Sequence, residues 1–395
     1  MYLGNTDIEL LQLAAWCKNL PSDMTKSIAS RIFDSTRIKL LDQAGLLNVT
    51  ENEKSVRLRE GGWRLLDYLG SGYHKDSSYR SAYERRVESS RILLTFWRAG
   101  YNVFGSALVN LAPVRAYASS MAARRNAARG GDIWGGAAFW GLGRHGNTVS
   151  SCYYFTGNEK MLLGYRSEKI LLDKAAAVLG TKAAMIFAGK GSMGSGYERM
   201  ARALRKTKAV KAPATGEKFT LTDIYHNAMT PIHLLECSDE GALQLLIMAQ
   251  DYYRGRLCNI VFRGHNTPPV GVTSADGALH VSQTEIVPCL LAVDMDISRI
   301  GRVIRQTTNA GYTLIVIACL PKQEAALKIL FGDDIAKYVI VQEKNIIEAF
   351  GVIRLYEPAP GPYLDCKGGI IDAANLPVRR KMGKQAHRKA EGSQE

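Results

Sequence analysis

Apolar residues recur along this chain with two periods, and the switches between them mark its elements. Ile8, Leu11 and Ala15, with Leu10, Leu13 and Trp16, follow helical spacing behind Thr6-Asp7-Ile8-Glu9, which reads as a capping box with Thr6 at the N-cap. A short helix from about Pro21 to Ser30 precedes a second from about Ser35 to Ala44, whose Ile38, Leu41 and Ala44 share a face. Gly45 is the expected stop, since a residue there usually needs φ > 0. Leu46-Leu47, a polar tip from Asn48 to Ser55, and the alternating Val56, Arg57, Leu58, Arg59 predict a hairpin, and Gly61 to Leu66 opens a closing helix. Helix pair, hairpin and closing helix together read as a winged helix-turn-helix over residues 1–72.

A polar linker and one long helix, Tyr79 to Ala99, span 73–100. From 101 to 376 strands and helices alternate. The aromatic hairpin around Arg144-His145-Gly146-Asn147, the apolar runs Ala183 to Ala188, Cys258 to Phe262 and Tyr312 to Ala318, and the helices between them predict a mixed sheet with a parallel part. The fold class is therefore α/β (α+β overall), an N-terminal winged helix-turn-helix followed by a larger mixed-sheet α/β domain. Residues 377–395, basic and poor in apolar residues, are expected to be disordered.

A helix of the second kind fits the DNA major groove, where its first residues meet base edges and flanking cations meet phosphate. The outward residues Ser35, Thr36, Arg37 and Lys39 suit that role, with Arg37 able to pair with guanine through two hydrogen bonds. Arg31 flanks the helix, and Lys54 and Arg57 on the hairpin suit a neighbouring backbone or minor groove. Arg80, Arg85 and Arg86 on the long helix, and Arg124 and Arg125 beyond it, add candidate phosphate contacts. The competing readings are a winged helix used for dimerisation or protein docking, and a connector helix with a solvated basic face.

Charge extends the picture to the second domain. The formal net charge is +14, and residues 101–210, the basic first half of that domain, carry 16 basic against 5 acidic side chains. A polyanionic partner follows, double-stranded DNA first. Half-site geometry suits a homodimer, and the α/β domain offers a surface for a protein partner. No apolar run is long enough to cross a bilayer, so no membrane is expected. Seven scattered cysteines in no metal-binding spacing, without a signal peptide, suit a reducing cytoplasm.

Two stretches invite chemistry beyond binding. Gly189, Gly191 and Gly194 spell GxGxxG between a strand and a helix, the setting of a dinucleotide or phosphate site. The motif lacks the Gly-Lys-Ser/Thr of a P-loop and a following strand that ends in an acid. An unliganded turn, or a loop resting on a DNA phosphate, fits it as well, and no cofactor is expected. Glu285, Asp294 and Asp296, beside neighbouring expected strands, are the alternative: acids of a metal-dependent nuclease or nicking enzyme. No lysine follows them at acid-x-lysine spacing, and Asp296 is equally placed to cap the helix that begins at Ile297. No catalytic residue or metal site is therefore assigned.

Arg37 to Leu47 (RIKLLDQAGLL), Val56-Arg57-Leu58 and Gly62-Trp63-Arg64-Leu65-Leu66 resemble the winged-helix start of the replication-relaxation family of plasmids and integrative conjugative elements. The match covers about a fifth of the chain, and Arg59 stands where the family usually has threonine. The resemblance implies a DNA-binding protein of a mobile element, acting in replication, transfer or their control. It carries over no catalytic residue.

Overall fold

The computed structural model describes residues 2–23, 35–50, 55–70, 83–104, 115–120, 122–123, 139–155, 173, 177, 182–191, 195–206, 210–211, 218–219, 228, 230–263, 267–280, 285–359, 363–364 and 370–371. The fold is mixed α/β, as the alternation of periods requires. Helix α1 (Asn5–Cys17) lies against a small antiparallel sheet of β1 (Leu20–Pro21), β3 (Ser55–Leu58) and β2 (Leu47–Thr50), in which β3 is central. Between β1 and β2 runs α2 (Ser35–Gln43), whose buried Ile38 and Leu41 carry the expected apolar face. Gly45 ends it at φ +73°, the left-handed backbone that glycine adopts without a Cβ penalty. Helix α3 (Glu60–Tyr68) follows the hairpin.

The expected capping box fails here. The cap of α1 is Gly4, not Thr6: the Asp7 carboxylate accepts from the Gly4 N–H at 2.8 Å. Glu9 turns away from the helix end to accept from Trp97 Nε1 at 2.7 Å and from the Tyr356 hydroxyl at 3.1 Å. The short helix expected near Pro21 to Ser30 lies mostly outside the described residues.

The body is organised on β7 (Lys182–Lys190), whose run of buried apolar residues marks a strand covered on both faces. It pairs in parallel with β6 (Thr148–Tyr154) on one side and β10 (Ile232–Cys237) on the other. Antiparallel β5 (Gly141–His145) and β4 (Arg115–Ser119) complete the order β10-β7-β6-β5-β4. Helix α4 (Tyr83–Arg98) packs on this sheet, with Phe96 stacked on Tyr117 at a centroid distance of 4.6 Å. A second sheet has the order β11 (Gly277–His280), β12 (Ile286–Leu291), β13 (Ile315–Cys319), β14 (Ala336–Ile340), with β12, β13 and β14 parallel.

The sheets meet where His233 of β10 bridges Asp296, and the Leu234 N–H donates to the Met295 carbonyl at 3.1 Å. The connecting helices are α5 (Gly196–Lys206), α6 (Asp239–Met248), α7 (Tyr253–Phe262), α8 (Ile297–Asn309), α9 (Glu324–Phe331) and α10 (Glu343–Phe350). Short antiparallel pairs join β8 (Val210–Lys211) to β9 (Lys218–Phe219), and β15 (Tyr363–Leu364) to β16 (Ile370–Ile371).

The apolar run Cys258 to Phe262, expected as a strand, is the end of α7. A short apolar run does not distinguish a buried strand from a buried helix. One continuous apolar cluster reaches from Leu3 and Leu11 through Phe96 and Phe187 to Ala336, so α1 and the small sheet share their core with the body. A smaller cluster lies between the second sheet and α7 and α10.

Candidate functional site

Three regions hold the chemistry the sequence points to, and a cavity makes a fourth. The first is α2. Ser35, Thr36 and Lys39 are exposed on it, opposite Ile38 and Leu41. Arg37 is spent inside the chain: its Nε donates to Asp7 Oδ1 at 2.6 Å, its Nη2 pairs with Asp7 Oδ2 and donates to the Tyr2 carbonyl at 2.5 Å. The guanidinium therefore ties α2 to the start of α1. Arg59, where the resembled family has threonine, pairs with Asp42 at 3.0 Å and so braces α2 from the hairpin side.

Of the other candidate cations, Arg57, Arg85 and Arg86 are also drawn inward. The Arg57 guanidinium lies over the Tyr83 ring at 5.9 Å. Arg85 donates to the Phe139 carbonyl at 3.2 Å and sits 4.8 Å over the Trp140 ring, and Arg86 donates to Asn19 at 2.8 Å. Arg91, deeper on the same helix, forks onto Asp23 at 2.8 and 2.9 Å, and Lys190 reaches the same carboxylate at 2.9 Å. Helix α4, its first half expected to offer phosphate contacts, thus fastens the N-terminal elements to the body through Arg85, Arg86 and Arg91. Arg31, Lys54, Arg80, Arg124 and Arg125 lie outside the described residues.

The second region is the glycine turn after β7. Its glycines serve contacts within the chain. A Cβ at Gly189 would stand 2.8 Å from Met200 Sδ, and one at Gly191 2.7 Å from the Cys237 carbonyl. Gly194 lies outside the described residues. The N-terminus of α5, where a phosphate would sit, receives the fully buried Glu236 carboxylate: the Gly196 N–H donates to Oε2 at 2.5 Å. Lys322 Nζ neutralises the other oxygen at 3.3 Å. A helix N-terminus favours an anion, and here β10 supplies it.

The third region corrects the acid grouping. Glu285 and Asp294 do not lie on adjacent strands; they stand beyond opposite ends of β12, which spans about 20 Å at a strand's usual rise. Asp294 is fully buried, with Arg254 Nη2 at 2.5 Å, the Tyr253 hydroxyl at 2.7 Å and Arg299 Nη2 at 3.6 Å. Burial works to raise its pKa, but Arg254, then Arg299 and His233, outweigh it and hold the carboxyl well below the usual range. Asp296 is the N-cap of α8 and accepts from the Arg299 N–H at 3.2 Å. Among the described residues no three His, Cys, Asp or Glu side chains are grouped to hold a metal ion.

The fourth region is a cavity of about 560 Å³ at the N-terminal ends of β6, β7 and β10. The β5–β6 turn, the start of β7, Pro231, and the chain from Met248 to Gly255 enclose it. His145 lines it, buried, and its Nδ1 has no hydrogen-bond partner among the described residues. Burial, and then the neighbouring His233, push the His145 pKa down to about 4, so the ring stays neutral. The cavity has no continuous signature in the sequence because its walls come from four separate segments spread between His145 and Gly255. The one local signal is a histidine placed at the end of an aromatic hairpin strand.

The six described cysteines are buried free thiols, and burial pushes Cys17, Cys237, Cys258, Cys289 and Cys319 up to about 12, which keeps them unreactive. Among the described residues no helix is long and apolar enough to cross a membrane. No family model, curated protein or solved structure matches this chain.

Proposed function

We propose that the chain is a sequence-specific double-stranded DNA-binding protein of a mobile genetic element, with α2 as the helix that enters the major groove. The observation that carries this reading is the division of α2: Ile38 and Leu41 are buried while Ser35, Thr36 and Lys39 are exposed on its first two turns. The order of helix, strand, helix, hairpin and helix among the described residues supports a winged-helix reading, and the resemblance of the same stretch to the replication-relaxation family points the same way. The net charge of +14 suits a polyanion.

Base contact falls to Ser35, Thr36 and Lys39, because Arg37 holds the helix in place against Asp7. Sequencing of duplexes selected from a random pool by the purified protein tests the reading. A recurring site is expected, and a palindromic one reports a two-fold dimer. On that site Lys39→Ala should weaken binding about tenfold while changing affinity for random duplex much less. A pool that emerges unenriched, or equal loss on every duplex, counts against the assignment.

A further inference from the structure

The cavity beside His145 lies apart from α2 and does not depend on the duplex-binding reading. Its volume, about 560 Å³, falls within the range of about 300–1,000 Å³ common to small-ligand sites. Its polar groups are incompletely used. His145 lines the wall, but its Nδ1, unpaired among the described residues, is closed off from the open space, so the polar groups left for an occupant are those of His233 and Arg254. His233 commits its Nδ1 to the Asp294 carbonyl at 2.9 Å, which leaves its other ring nitrogen for an occupant. Arg254 spends Nε and Nη2 on Asp294, leaving Nη1.

The rim adds charge and an aromatic face. Lys182, at the start of β7, is exposed and makes no ion pair with a described residue. Asp251 is the one acid in the lining, against Lys182 and Arg254. Tyr252 stands at the mouth with 89% of its surface exposed, on left-handed backbone at φ +53°. An aromatic ring held out beside cations is the arrangement that stacks a nucleobase and holds its phosphate.

We propose that this cavity binds a nucleoside phosphate, the phosphate taken by Lys182 and Arg254, the base laid on Tyr252 with its polar edge toward His233. The same chemistry is offered by a free mononucleotide and by the phosphorylated end of a DNA strand.

Calorimetric titration of the full chain with each deoxynucleoside 5′-monophosphate, with inorganic phosphate, and with a short 5′-phosphorylated single strand tests it. Saturable binding of at least one mononucleotide is expected, tighter than that of inorganic phosphate. Lys182→Ala should weaken every phosphate-bearing ligand about tenfold. Tyr252→Gly should weaken the mononucleotide by about as much and leave inorganic phosphate unchanged. Glycine suits the left-handed backbone at 252 and Lys182 is exposed, so both variants should fold; matching far-ultraviolet spectra check this.

Tighter binding of the phosphorylated strand than of the mononucleotide supports the site and assigns its ligand to a strand end. The reverse order supports it and assigns a free nucleotide. No saturable binding of any mononucleotide or of the strand, or variants that bind like the parent, overturns the proposal. Duplex binding of the parent and of Lys39→Ala, measured alongside, keeps the two readings separable.

Discussion

Asp294 sits between two guanidinium groups in the interior, and that geometry sets what can replace it. Arg299 is buried and also forks onto Asp276 at 2.7 and 2.8 Å, so it keeps a partner if Asp294 is lost; among the described residues Arg254 has no second carboxylate as close, Asp296 standing at 3.9 Å. Removing one member of a buried pair leaves the other charge uncompensated, at a cost of about 3–5 kcal/mol. Asp294→Asn is therefore expected to destabilise the protein by several kcal/mol in urea melts, whereas Glu285→Gln, exposed before β12, should be near neutral. Equal midpoints for the two variants would refute that ordering.

His145 gives a pH signature at the same scale. Its pKa in the folded chain is about 4, against an ordinary value of 6.5. The unfolded chain therefore takes up the proton first as pH falls. The contribution of neutral His145 is complete above pH 6.5 and is lost progressively as the pH drops toward 4. Chemical melts across that window should show a slope that His145→Phe reduces.

At the scale of elements, caps and cross-links decide more than propensity does. Asp296 ends the second sheet's link to β10 and starts α8, accepting from the Arg299 N–H, the Ile232 N–H and the Ser298 hydroxyl. Asp296→Ala should cost at least the ~1–2 kcal/mol of a lost N-cap, and more because Ile232 loses its acceptor across the sheet junction. Asp296→Asn, which keeps an acceptor oxygen, should recover much of it; stability by denaturant separates the two.

Element type was legible where the pattern was long or two-sided. Ile38 and Leu41 placed α2, Gly45 placed its end, and the Ala183 to Ala188 run placed β7. It was not legible for Cys258 to Phe262, where five apolar residues fit either period until Leu257, Cys258 and Phe262 are seen packed beneath the second sheet. The Thr6-to-Glu9 box was misread for a related reason: Glu9 had stronger partners in Trp97 and Tyr356, both distant in sequence.

Across the whole molecule, the N-terminal elements share a core with the body and are pinned to it by Arg91–Asp23–Lys190, Arg86–Asn19 and Glu9–Trp97. A unit joined this way should not melt by itself. Thermal unfolding followed by tryptophan fluorescence and by far-ultraviolet circular dichroism should give coincident transitions. An early transition confined to one probe would show that the N-terminal elements open first. The same joining means that DNA held on α2 would be held at a fixed attitude to the sheet.

By itself, the sequence determined the alternation of strands and helices, the apolar faces that became the core, and the positive balance of the chain. These depend on residues within a few positions of one another, where periodicity and backbone preference act. Only the tertiary structure decided which charges remain for a partner. Arg37 met Asp7, Glu236 filled the end of α5 where an anion would otherwise sit, and His145, His233 and Arg254 came around one cavity. A charged or hydrogen-bonding side chain takes the nearest partner in space, and packing of distant segments sets which partner that is.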